Sequence, residues 1–167
     1  MLATTDVKRV KDFTVMNKLT AILVGLLTLF ACNDNNTNTT DFFTPVQVYL
    51  NINLNLPTYT ALTLPQGFVY ENAGNKGVII YHTIFNEYVA FDRTCPHNPT
   101  DACSYISMDS TRAFYKCGQY NPTWVSCCGS KFDPATGNVL ASPAKRALKQ
   151  YYVKQDGNNL IVTNSPF

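Results

Sequence analysis

The sequence predicts an all-β domain, an antiparallel sandwich or barrel, and three observations carry that prediction. Val46, Val48, Leu50, Ile52, Leu54 and Leu56 alternate strictly with Gln47, Tyr49, Asn51, Asn53 and Asn55, the period of two of a half-buried strand. Short apolar runs then recur between turn residues, and no helical period persists for three turns. Ten Tyr and ten Phe, with many Val, Ile and Thr, suit a pleated surface better than a helix.

The chain divides into three parts. Residues 1–32 read as an export leader: Asn17-Lys18 precedes an apolar run from Leu19 to Phe30, which Ala31-Cys32 closes. The run is too short to span a bilayer comfortably and has the order of a signal peptide. Leu29-Phe30-Ala31-Cys32 resembles the lipobox of bacterial lipoproteins, which implies a lipid on Cys32 and a mature chain starting there, on an exported face of a bacterial membrane. Met16 opens a segment that is a complete leader by itself, so translation from Met1 or from Met16 are both consistent with the pattern. Residues 33–44 begin with Asn33 to Thr40, nearly all Asn, Thr and Asp, which have no apolar surface to bury and read as a flexible tether.

Residues 45–167 form the domain. After the strand of Val46–Leu56, which Pro57 stops, Pro65-Gln66-Gly67 is a turn and Phe68 to Tyr70 a short strand. Asn72 to Gly77 is a glycine-bearing loop, and Val78 to Tyr81 and Tyr88 to Phe91 are strands joined through Asn86-Glu87. Gln150 to Val153 and Leu160 to Val162 flank Asp156-Gly157-Asn158-Asn159, a strong hairpin signal.

Charge narrows the function. The leader holds four basic residues (Lys8, Arg9, Lys11, Lys18) and two acidic ones (Asp6, Asp12) of the chain's 13 and 11, so the exported part carries nine of each. No basic footprint is left for a nucleic acid. There is no Ser-His-Asp order, no phosphate-cradling glycine loop and no pair of catalytic carboxylates, and His97 has no evident nucleophile beside it. An enzyme is therefore the weaker expectation. Trp124, Phe114-Tyr115 and Tyr120 read as hairpin packing, Lys145-Arg146 and Lys149 as a solvated face, and Asp133 as a turn-shaping residue before Thr136-Gly137.

Two segments carry chemistry: Phe91-Asp92-Arg93-Thr94-Cys95-Pro96-His97, and Ser126-Cys127-Cys128-Gly129-Ser130-Lys131-Phe132-Asp133. With Thr136-Gly137, Ser142-Pro143-Ala144 and the closing hairpin, they follow the order of the Rieske [2Fe–2S] family, which the chain resembles over roughly residues 60–163. The resemblance implies a Rieske-like sandwich or barrel with a small two-loop cluster-binding subdomain, and a one-electron carrier working with a redox partner. A Rieske cluster has one iron on two thiolates and the other on two imidazoles. The resemblance assigns Cys95 and His97 to the first ligand pair, and Gly129, Ser130 and Phe132 to the cluster's surroundings. The second pair departs from the family: Val125 stands where a Cys is expected and Cys128 where a His is expected. The other histidine, His82, falls beside the Val78 to Tyr81 strand.

Three readings follow. A [2Fe–2S] cluster could be held by Cys95, His97, Cys128 and one of Cys127 or Cys117, although adjacent Cys127 and Cys128 are awkwardly placed to share it. Alternatively the domain is a cluster-less binding or structural module in which cysteines pair, export favouring oxidation. The resemblance to respiratory Rieske proteins then implies a Cys103–Cys127 bridge, Cys95–Cys128 could form a second, and Cys117 is left over. The third reading is a mononuclear zinc site on the same Cys and His residues.

Overall fold

The computed structural model describes residues 46–167. The leader, the lipobox Cys32, the tether and Pro45 lie outside the described residues, as does the question of the start at Met16.

Ten strands and one 3₁₀ helix make the domain, and every strand pair is antiparallel. A six-stranded sheet has the order β1-β10-β9-β4-β3-β2, built from β1 (Tyr49–Asn53), β2 (Phe68–Glu71), β3 (Val78–His82), β4 (Tyr88–Asp92), β9 (Gln150–Asp156) and β10 (Asn159–Thr163). Between β4 and β9 the chain makes a second, four-stranded sheet: β5 (Ile106–Met108), β6 (Tyr115–Tyr120), β7 (Trp124–Phe132) and β8 (Val139–Ala141). The all-β antiparallel class expected from the sequence is what the chain adopts.

The first strand is shorter than its alternation. Val48 and Ile52 are buried and Tyr49, Asn51 and Asn53 exposed, as the period requires. The ladder stops at Asn53↔Asn159 because β10 begins there, leaving Leu54 and Leu56 without a partner strand. Leu54 N–H donates to Asn158 O at the hairpin end, and Pro57–Thr63 then winds a 3₁₀ helix that buries Leu62. The closing hairpin turns through Gly157 (φ +56) and Asn158, two residues as the sequence signal requires.

β3 is buried along its whole length, and its two faces feed different cores. Val78 and Ile80 pack with Val48, Ile52, Leu62, Ala90 and Leu160, while Ile79 and Tyr81 pack towards Phe91, Ile106, Tyr115 and Phe132. A strand covered on both faces reads as a continuous apolar run, which is the pattern Val78-Ile79-Ile80-Tyr81 shows. The second core also contains Cys95 and Cys117, so the chemistry-bearing cysteines sit at its edge.

Candidate metal centre

The first chemical segment leaves β4 through a buried carboxylate. Asp92 is fully buried, and its oxygens accept from Thr94 N (2.8 Å), Thr94 Oγ1 (2.6 Å), Tyr151 Oη (2.7 Å) and Asn75 N (2.9 Å). Those donors fix the direction in which the chain leaves the sheet. Thr94 then pairs with Tyr105, and Cys95 N–H donates to Ser104 O at 3.1 Å, so residues 95–104 form a loop pinned at its base. Arg93 braces it from outside: its guanidinium lies 3.9 Å from the Tyr70 ring centre, and Nε donates to Ile106 O.

The second segment is not the free loop expected from the sequence; it lies within β7. The β6–β7 ladder pairs Lys116 with Lys131 and then Gly118 with Ser126, so Cys117 alone faces four residues, Cys127 to Ser130. This wide bulge lifts Cys127-Cys128-Gly129-Ser130 out of the ladder directly across from Cys117. Gly118 makes the close pairing beside it feasible. Its φ is +146°, and a Cβ there would meet Val125 O at 2.3 Å and the Trp124 ring at 2.6 Å.

The bulge sends its two cysteines different ways. Cys127 is joined to Cys103 of the first loop by a disulfide, the pairing the family resemblance implied. Cys128 turns to the interior, its Sγ 3.8 Å from Cys95 Sγ, facing it without a disulfide. Cys117 completes a trio: the Sγ atoms of Cys95, Cys117 and Cys128 all lie within 4.8 Å of one another. Cys95 and Cys117 are buried and Cys128 is half-buried. Cys128 Sγ donates to Ser130 Oγ at 3.2 Å, and Ser130 Oγ also accepts from Ala144 N at 2.8 Å, tying the Ser142-Pro143-Ala144 segment to the site.

The trio shares its protons unequally. The Cys117 thiol donating to Cys95, aided by the His97 backbone N–H and Ser104, holds the Cys95 thiol down at about 6 against the opposing effect of burial. Cys117 is pushed well up, first because its proton is bonded to Cys95 and then by burial. Lys76 lies close enough to feel Cys117 and Cys95; burial depresses its pKa, opposed by Asp101 and by those two sulfurs.

The remaining expected site residues fall elsewhere. The His97 ring is not part of the sulfur group; it lines a shallow pocket with Pro96, Pro143 and Lys145. Val125 is 43% exposed in β7, opposite Gln119. Gly129 leaves ordinary room, an added Cβ meeting only Ser142 O at 3.5 Å, so no close approach demands glycine there. Phe132 is a fully buried core residue. His82 is buried in β3, hydrogen-bonded to Asn86 at 3.0 Å and stacked on Tyr88 at 4.5 Å. Asp133 shapes its turn by accepting from Ala135 N and Thr136 N. Tyr120 and Trp124 pack on each other across the β6–β7 hairpin, with Lys116 over the indole at 3.9 Å.

Sequence reasoning left Cys117 as a spare or an optional ligand. Its importance comes from the bulge opposite it, a non-local feature that no pattern within Tyr115–Tyr120 announces.

This is a Rieske-like domain: two antiparallel sheets, with a first loop and a bulged strand meeting over a cysteine-lined corner. The plasma-membrane Rieske protein PetC3 of the cyanobacterium Synechocystis is similar to it at 26% identity, over 68% of this chain and 97% of that one, with a TM-score of 0.50. Weaker likenesses are to the oxygenase–ferredoxin complex of carbazole 1,9a-dioxygenase (19% identity, 71% of this chain and 94% of that one, TM-score 0.47) and to the ferredoxin of carbazole 1,9a-dioxygenase from Nocardioides aromaticivorans (17%, 61% and 88%, TM-score 0.43). No protein-family profile and no curated protein matches the chain.

The fold implies a [2Fe–2S] cluster, and the donor set can be tested against it. Two imidazoles on one iron are not available: His82, the chain's other histidine beside His97, is engaged in β3, and Val125 cannot ligate. The two-thiolate, two-imidazole form of the cluster does not fit these residues. What they do offer is three soft thiolate donors in one place.

Proposed function

We propose that this protein is an exported, lipid-tethered one-electron carrier in which a Rieske-like scaffold holds iron through the thiols of Cys95, Cys117 and Cys128. The observation that carries this reading is the convergence of those three sulfurs within 4.8 Å at the meeting of loop and bulge. Thiolates suit iron, and the buried Cys95 and Cys117 keep the centre from bulk water while half-buried Cys128 gives an edge through which a redox partner can couple. The Cys103–Cys127 disulfide clamps the first loop to the bulge, so the three thiols are gathered before any metal arrives. Lys76 supplies a nearby positive charge against the thiolates. Cys32 would carry the lipid, and residues 33–44 would give the domain reach to a partner at the same membrane.

The test is iron and colour. Protein matured through the export route and purified anaerobically should bind iron, show sulfur-to-iron charge-transfer absorption, and bleach and recover on one-electron reduction and reoxidation. Colourless protein that takes up no iron under those conditions sinks the reading. The second reading, a metal-free module, is favoured by the 3.8 Å approach of Cys95 to Cys128. It expects those two thiols to be recovered as a disulfide in the isolated protein.

A further inference from the structure

We infer that the Cys95–Cys117–Cys128 site holds one tetrahedrally coordinated ion of the zinc, cobalt and iron(II) class, and not a two-metal cluster; this rests on the thiolate-centre reading above. Metal–thiolate bonds of about 2.3 Å set the edge of a sulfur tetrahedron at about 3.8 Å. The Cys95–Cys128 separation is 3.8 Å, and the other two pairs fall within 4.8 Å. A single ion can therefore touch all three sulfurs with small side-chain adjustments. In a two-metal cluster, donors on different metals lie further apart than one tetrahedral edge, whereas all three sulfurs here fall within 4.8 Å of one another. Cys103 and Cys127 are consumed by their disulfide, Val125 is aliphatic and outward, and the His97 ring lies outside the sulfur group.

The fourth position has a place as well. Cys117 and Cys128 open onto a shallow cavity of about 270 Å³ that Ser130, Lys116 and Trp124 help to line. Ser130 Oγ is already bonded to Ala144 N and Cys128, so the fourth ligand is water or a small exogenous donor entering through this cavity. Three protein ligands with an accessible fourth site make an open centre, unlike a closed structural zinc site.

Cobalt(II) reports both geometry and stoichiometry without depending on electron transfer. Full-length metal-stripped protein, its disulfide kept intact, is titrated anaerobically with cobalt(II). The expected result is saturation at one ion per chain, with thiolate-to-cobalt absorption in the near ultraviolet and intense visible bands of a tetrahedral ion, both abolished by zinc. Cys117→Ser and the half-buried Cys128→Ser should each weaken binding by at least about tenfold, since loss even of an outer partner of a metal ligand costs that much. His97→Ala should bind as the parent does. Two cobalt ions per chain, weak octahedral bands, full affinity in both serine variants, or loss of the site in His97→Ala would each overturn the inference. Its failure is separable from that of the carrier reading. One iron that cannot be cycled defeats the carrier and leaves the site standing. Two irons with acid-labile sulfide that do cycle defeat the single-ion site and leave the carrier standing.

Discussion

At the scale of single residues, Cys95 is the thiol whose ionised form the fold favours most. Its thiol is lowered from an ordinary 9.0 to about 6 by donors converging on it, the Cys117 thiol first. A group whose pKa is depressed on folding adds stability that is fully present above its unfolded value and is lost as pH falls through its folded value. Metal-free, disulfide-intact protein should therefore grow more stable between pH 6 and pH 9. Above pH 9 the trend turns, because Cys117, held protonated in the fold, ionises freely in the unfolded chain. Urea midpoints measured across that range in the parent and in Cys95→Ala check the assignment. Equal slopes in the two proteins would show that Cys95 is not the thiolate. Asp92 matters for a different reason: it organises backbone and not chemistry, collecting Thr94, Tyr151 and Asn75 where the first loop departs.

At the scale of elements, the β6–β7 pair makes the site, and one glycine decides whether the pair can close. Gly118→Ala must abandon a φ of +146° and displace Val125 O, so it should cost about 2 kcal/mol or more in unfolding free energy. Gly129→Ala, on the facing strand in the bulge, should stay within about 0.5 kcal/mol because its neighbourhood has room. Denaturant unfolding of both variants is the check, and similar losses would mean that the bulge is tighter than described. The contrast also shows what a sequence can reveal. The large sheet was legible because β3, β4, β9 and β10 are apolar runs bounded by Gly, Asn and Asp turns. The small sheet was not: β5 and β8 are three residues each, and β6 and β7 mix Lys, Gly, Gln and Ser with buried aromatics, so no period of two survives. The segment Ser126 to Asp133 read as a loop because its chemistry was visible and its hydrogen-bonded partner, β6, was not. Cys95 and Cys128 could be picked out from the chain alone, whereas the place of Cys117 depends on a register shift that only the paired strands define.

At the scale of the whole molecule, the first loop belongs to the end of β4 in the large sheet and the bulge to the small sheet, so the site exists only where the two sheets' chains are held together. The Cys103–Cys127 disulfide does that holding, across a sequence separation of 24 residues. Removing loop closure of that length from the unfolded chain is worth about 3 kcal/mol. A Cys103→Ser/Cys127→Ser double variant should lose about that much stability, and guanidinium unfolding measures it. The same variant tests what the clamp does for the centre. Thr94–Tyr105 pairing and the Cys95–Ser104 hydrogen bond still fix Cys95, and the β5–β6 ladder still fixes Cys117, so two of the three sulfurs keep their places. Cys128 alone depends on where the bulge lies. Cobalt binding should therefore weaken in the double variant while its stoichiometry stays at one. Unchanged affinity, with stability lowered as expected, would mean that Ser130 and Ala144 already hold the bulge in place and that the disulfide serves the fold alone.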